Sequence, residues 1–229
     1  MYRHFVKPIL DFMGALFAIL LLLLLFIIIT ILVRIKLGSP VIFKQKRPGK
    51  DGKLFTLYKF RSMTNAADKN GNLLSDADRL TKFGSFLRRT SIDELPELFD
   101  ILLCKMSFIG PRPFLVKDYV FFDEETKKRQ SVRPGLSGLA QVNGRNNISW
   151  EQKFEYDLKY AKKVTFAGDF IIFWKSIFEI FKRKNINRDG FATDEDYGDY
   201  LLRTNQISCK EYSSKIEKAK EIIKQNGRS

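Results

Sequence analysis

From Gly14 to Val33 the chain reads GALFAILLLLLLFIIITILV, twenty residues without a charge. That is the length a helix needs to cross a bilayer core. A secretory signal is a poor alternative, because the apolar run is too long and no small-residue cleavage site follows it. The stretch is expected to be a retained membrane element, helical as one segment over 5–35, and whatever else the chain folds into must sit beside a membrane.

The remaining chain is polar and patterned. In VIFKQKRPGKDGKLFTLYKFRSM, two alternating runs flank Pro48-Gly49-Lys50-Asp51-Gly52, which predicts a β-hairpin. DKNGNLLSDADR is turn-rich and reads as a surface loop. Leu80, Phe83, Phe86 and Leu87 recur at helical spacing. Arg88 and Arg89 close that helix and Ser91 opens the next, which runs through LPELFDILL towards Gly110 and its flanking prolines. Lys117 to Gln130 is expected to be helical. RPGLSGLAQVNGR is a glycine-rich loop around one short strand, and Trp150, Phe154, Leu158 and Ala161 mark another helix. GDFIIFWKSIFEIFKRK is too short and too charged to span a bilayer. Its aromatic face and basic end suit a helix lying in the headgroup region, with a core helix as the rival reading. The fold class expected is α+β and mainly helical: an N-terminal membrane helix, interfacial amphipathic helices and a small β-hairpin. The expected divisions are residues 1–36 for the membrane helix, 37–189 for the main domain and 190–229 for a polar accessory tail.

The net charge of +14 lies entirely before the tail, where seven basic and seven acidic residues balance. A basic body suits phosphate-bearing partners. Its arginines and lysines sit singly at element ends rather than along one helix face, which argues against nucleic acid and for convergence on one anionic ligand. Two cysteines make no disulfide framework, and the lone His4 makes no zinc site.

One stretch, RRTSIDELPELFD over 88–100, bears on chemistry. Ser91-x-x-Glu94 fits a capping box. The same carboxylates could do chemistry. Asp93, near several guanidinium groups, could attack phosphorus and form an acyl phosphate, while Glu94 could hold Mg²⁺, which takes one or two carboxylates plus substrate phosphates.

LYKFRSM, SIDELPELFD, MSFIGPRP and RPGLSGLAQVNGR, in that order after an apolar segment, resemble the bacterial sugar transferases that are small monotopic phosphoglycosyl transferases. The resemblance runs from Met1 to about residue 188. It is closest to enzymes that load diacetylbacillosamine phosphate onto undecaprenyl phosphate. It implies a ping-pong reaction in which Asp93 attacks the β-phosphorus of a UDP-sugar, UMP leaves, and the phosphate of undecaprenyl phosphate takes the phosphosugar. It also implies Glu94 as the metal-associated acid with Mg²⁺ as cofactor. Lys59, Arg88, Arg112 and Arg145 match positions at the phosphates and nucleotide sugar, and Gln141 and Asp157 match polar positions around them. The implied setting is the cytoplasmic face of the bacterial inner membrane, in contact with membrane lipids.

Two features stay open. Members of the family interrupt the membrane segment with Ser-Pro, where this chain has Leu20 to Leu25 and no helix breaker between Gly14 and Gly38. The sugar could also be N-acetylglucosamine, N-acetylgalactosamine or a hexose. A membrane-anchored binding protein is the rival of another class.

Overall fold

The computed structural model describes residues 1–144, 148–182 and 195–226. The chain is mainly helical with two small sheets. The apolar run is helical but not continuous. A π-helical turn at Tyr2–Val6 leads into α1 (Lys7–Leu21), and α2 (Leu23–Leu37) begins one residue later. Between them Leu22 has φ −94° and ψ 7°, in the sparsely allowed bridge region. The backbone bonds at the junction run from Leu22 N–H to Ala18 C=O and from Phe26 N–H to Leu22 C=O. Leu22 is the one residue of the run from Lys7 to Leu37 that falls outside both helices. The expected single segment over 5–35 is thus corrected to two arms.

Leucine is a good helix former, so the break has a tertiary cause. The α1 arm buries Ala15 and Ile19 against Phe55, Leu57, Leu98, Ile101 and Met106. The α2 arm buries Ile29, Val33 and Leu37 against Phe60 and Leu87. Polar ties fix the start of the first arm. Tyr2 Oη and Lys7 Nζ each donate to Asp169 Oδ2 at 2.7 Å, Arg3 donates to the Ser131 carbonyl, and Phe108 N–H donates to Asp11 Oδ1 at 3.1 Å. Both ends of the apolar run therefore rest on the same body. A straight span would carry Arg3 and Lys7 away from Ser131 and Asp169.

The hairpin pairs β1 (Ile42–Pro48) with β2 (Leu54–Phe60), antiparallel, in a register from Ile42↔Phe60 to Pro48↔Leu54. Side chains alternate along a strand, so Lys59 follows Phe55 and Leu57 on the core face. Next come α3 (Asp76–Arg79) and α4 (Lys82–Arg89). Gly84 lets α4 lie on the end of the hairpin, since a Cβ there would sit 1.7 Å from the Ser62 carbonyl oxygen. A 3₁₀ turn at Ile92–Glu94 precedes α5 (Glu97–Leu102). Contrary to expectation, α5 does not run on to Gly110. Cys104 takes φ +58°, the Asp100 carbonyl collects the N–H groups of Lys105 and Met106, and the chain enters β3 (Ser107–Ile109).

Strand β3 pairs in parallel with β4 (Gly135–Ser137). The expected helix over Lys117–Gln130 is broken into α6 (Val116–Tyr119), α7 (Glu124–Lys127) and a 3₁₀ turn at Lys128–Ser131. The cause is local. Phe121 and Phe122 turn into the core, and Asp123 caps a fresh helix through the Thr126 N–H. Helices α8 (Leu139–Val142), α9 (Trp150–Lys162) and α10 (Phe166–Lys182) follow, with α11 (Tyr197–Arg203) and α12 (Cys209–Asn226) beyond.

α10 is not a core helix. It buries Asp169 and Ile172, while Phe166, Phe170, Phe173, Trp174 and Phe178 are exposed. Phe17, Leu20, Leu24, Ile28 and Ile31 on the two arms are exposed as well. An apolar surface of this extent marks a membrane-associated protein.

The break gives a prediction. Leu24 lies in the first turn of α2, where proline is tolerated because the N–H has no partner within that helix, so Leu24→Pro should cost little. Ile28→Pro, one turn inside α2, should destabilise by about 3 kcal/mol. Thermal midpoints of both variants in detergent micelles check this, and equal losses would contradict the break at Leu22.

Candidate active site

The turn carrying Asp93 and Glu94 begins at Ser91, which adopts left-handed backbone geometry (φ 55°, ψ 18°) and makes no side-chain cap bond. The capping-box reading therefore fails. Glu94 points instead to cations. Its Oε1 accepts from Lys59 Nζ at 2.7 Å and from Arg112 Nη2 at 2.9 Å. Lys59 Nζ also lies 3.1 Å from Glu97 Oε1. At three residues per turn, neighbouring side chains of a 3₁₀ turn diverge by about 120°, so Asp93 faces elsewhere. It is 8% exposed. Among the described residues it makes no ion pair or side-chain hydrogen bond.

The two carboxyls are pushed apart electrically. Burial, with the negative charge of Glu94 beside it, lifts Asp93 to about 6, against the pull of Lys59, Arg88 and Arg112. Burial also opposes the charge on Glu94, but Lys59 and Arg112 outweigh it and hold that carboxyl well below the usual range. Glu97 is raised to about 7, first by burial and then by Glu94, although Lys59 opposes this. One acid is thus locked as a clamped anion. Its neighbour is an unclamped carboxylate that is mostly ionised at neutral pH, as a nucleophile must be.

Five of the eight sequence-predicted residues meet by direct contact or close electrostatic influence around this pair: Lys59, Arg88, Arg112, Glu94 and Asp93. Arg88, at the end of α4, donates from Nε to Ser62 Oγ at 2.9 Å and acts on Asp93 through its charge. Gln141 turns towards β4, donating to the Leu136 carbonyl at 3.2 Å, with its Oε1 buried and without a protein partner. Asp157 does not reach the pair. It is almost wholly buried and binds Arg129 through Nε at 2.9 Å and Nη2 at 2.6 Å. Arg145 lies outside the described residues.

Glu97 was missed by sequence reasoning, although its i+3 relation to Glu94 places it on the same side of the turn. Arg129 was hidden in the run Lys127-Lys128-Arg129, which reads as a solvated charge cluster. Among the described residues no group of three or more His, Cys, Asp or Glu could hold a metal ion. The donor set still fits Mg²⁺, which takes few carboxylates and completes its shell with phosphates and water. Both cation contacts of Glu94 fall on Oε1, so its other carboxylate oxygen is the donor available to such an ion.

A family model described as bacterial sugar transferase matches residues 2–183. The chain belongs to the bacterial sugar transferase family. The transferase is 42% identical over 192 residues to the uncharacterized sugar transferase EpsL of Bacillus subtilis (strain 168), covering 84% of this chain and 95% of that protein. It is 40% identical over 157 residues to a UDP-glucose:undecaprenyl-phosphate glucose-1-phosphate transferase of Klebsiella pneumoniae, covering 64% of this chain and 34% of that protein. It is 37% identical over 194 residues to the Escherichia coli (strain K12) protein of the same name, covering 80% and 41%. The transferase thus spans nearly all of the first relative and about two fifths or less of the other two. Helices α11 and α12 lie beyond the matched residues.

The charge arrangement gives a second prediction. In Glu94→Gln the negative neighbour of Asp93 is gone, and Lys59 and Arg112 lose a competing partner. The Asp93 midpoint should then move down from about 6, because every altered charge now favours its ionised form. Carboxyl-selective ¹³C NMR across pH 3–8 reads it, and an unchanged or raised midpoint would refute the assigned cause.

Proposed function

We propose that the transferase moves a sugar 1-phosphate from a UDP-sugar to undecaprenyl phosphate, through a phosphosugar held covalently on Asp93. The observation that carries this reading is the division of the acidic pair: Glu94 gripped by two cations, Asp93 buried beside them and, among the described residues, without an ion-pair or side-chain hydrogen-bond partner. A carboxylate oxygen of Asp93 attacks the β-phosphorus, forming an O–P bond. The bond from that phosphorus to the bridging oxygen breaks, and UMP departs with the electron pair. A phosphate oxygen of undecaprenyl phosphate then attacks the same phosphorus and returns Asp93 as a carboxylate. Lys59, Arg88 and Arg112 offset charge on the transferring group. Mg²⁺, when bound through Glu94 and the donor's phosphates, would add to that neutralisation.

Two readings of the sugar have separate supports. The ordered motifs resemble enzymes that use UDP-diacetylbacillosamine, whereas relatives named for their donors act on glucose or galactose. UMP release from UDP-diacetylbacillosamine, UDP-N-acetylglucosamine, UDP-glucose and UDP-galactose, with undecaprenyl phosphate and Mg²⁺, separates them. No release from any of the four would overturn the proposed reaction.

Asp93→Asn should abolish turnover and the trapping of ³²P-labelled phosphosugar on protein, while leaving the thermal midpoint near wild type. In the wild type, kcat/KM should rise as pH climbs through about 6, where Asp93 loses its proton. Retained trapping in Asp93→Asn would end the covalent assignment.

We also propose that both ends of the apolar run face the cytoplasm, at the inner membrane. The support is the attachment of Arg3 and Lys7 to the same body that holds Leu37, together with positive charge at both flanks. A cysteine in place of exposed His4, in a Cys104→Ser, Cys209→Ser background, should resist an impermeant thiol reagent until cells are lysed. Labelling of intact cells would show a spanning helix instead.

A further inference from the structure

Arg112 is the most exposed member of the cation set, with a side chain 45% accessible and one direct contact, to Glu94. A long side chain so exposed keeps its direction only if its backbone is fixed. Gly110-Pro111-Arg112-Pro113 makes that difficult, because neither proline has an N–H to anchor. Only carbonyls remain at those positions, and all three in Pro111–Pro113 are held. Gly135 N–H donates to the Pro111 carbonyl at 3.0 Å. Arg47 Nη1 donates to the Pro113 carbonyl at 3.0 Å. The Arg112 carbonyl itself accepts from Arg129 Nη2 at 2.6 Å.

Arg129 is well placed for this. It is 2% exposed. Its Nε and Nη2 both donate to Asp157, and its guanidinium lies 4.5 Å from the centre of the Phe114 ring. Phe114 packs on Trp150 and Phe154, and Tyr197 of α11 closes the same cluster at 5.1 Å from Trp150 and 5.0 Å from Phe154. A group held by a buried anion and an aromatic wall has one available direction, and it points at the Arg112 carbonyl. We infer that Arg129, locked by Asp157, is a positioning residue that aims Arg112 at the donor's phosphates. Asp157 thereby acts without touching substrate. The inference rests on the proposed role of Arg112.

The test is a mutant cycle on the full chain in lipid nanodiscs. Its probe is whichever of the four UDP-sugars above turns over fastest. Arg129→Met with Asp157→Leu removes both charges together, so no unpaired ion stays buried. That pair should fold, with a thermal midpoint near wild type, yet lose roughly ten- to a hundredfold in kcat/KM, the scale of a misplaced binding group. Added to Arg112→Ala, the pair should cause no further loss. A folded pair with wild-type kcat/KM would overturn the inference, as would a loss that multiplies in full with that of Arg112→Ala. Arg129→Lys provides the same cycle if the apolar pair does not fold, since its single ammonium cannot reproduce the fork that serves Asp157 and the Arg112 carbonyl at once. An Arg112→Ala variant with unchanged kinetics would remove the role of Arg112 itself, and the inference with it.

Discussion

A single oxygen, Glu94 Oε1, joins three parts of the chain that are distant in sequence. Lys59 comes from the end of the hairpin, Arg112 from the Pro-Arg-Pro loop, and Glu94 from the 3₁₀ turn between α4 and α5. Charge-assisted bonds of this kind are short and directional, and burial makes each charge depend on its partners. The clamp therefore does two things at once. It closes the site mechanically, and it leaves Asp93 next to a concentrated field without being neutralised by contact.

The support behind the clamp is of two sorts. On one side it is polar: the half-buried Arg47 and the buried Arg129 hold the carbonyls of a loop that has few other handles. On the other it is apolar, and the membrane arms belong to it. Ala15 and Ile19 of α1 pack on Leu98 and Ile101 of α5, the helix that also carries Glu97. Phe26 near the start of α2 meets both Phe60 at the end of the hairpin and Phe99 of α5. The apolar segment is thus part of the framework of the site and more than an attachment.

What the sequence made legible was local. The hairpin follows from alternation about a turn, α9 from the spacing of Trp150, Phe154, Leu158 and Ala161, and α10 from its aromatic face and basic end. The acidic pair stands out because two carboxylates sit among arginines. What was illegible depends on partners far along the chain. Ser91 and Glu94 satisfy a capping pattern, yet Lys59 offers Glu94 a stronger partner than a backbone N–H. Arg129 looks like a surface charge until Asp157, 28 residues on, and the Arg112 carbonyl claim it. The break at Leu22 has no residue-level signal, because it arises where two arms follow two different surfaces.

That break bears on how the protein is made. A proline would bend the segment as soon as it left the ribosome. Here the bend requires a body to dock on, and Asp169, which holds Lys7, emerges 162 residues later. Until then the first arm has only its own preference, that of a straight apolar helix whose twenty residues would reach about 30 Å. The chain therefore passes through a stage in which crossing the bilayer is its easiest course. On the proposed topology, the body must fold and capture the amino terminus before that terminus is carried across.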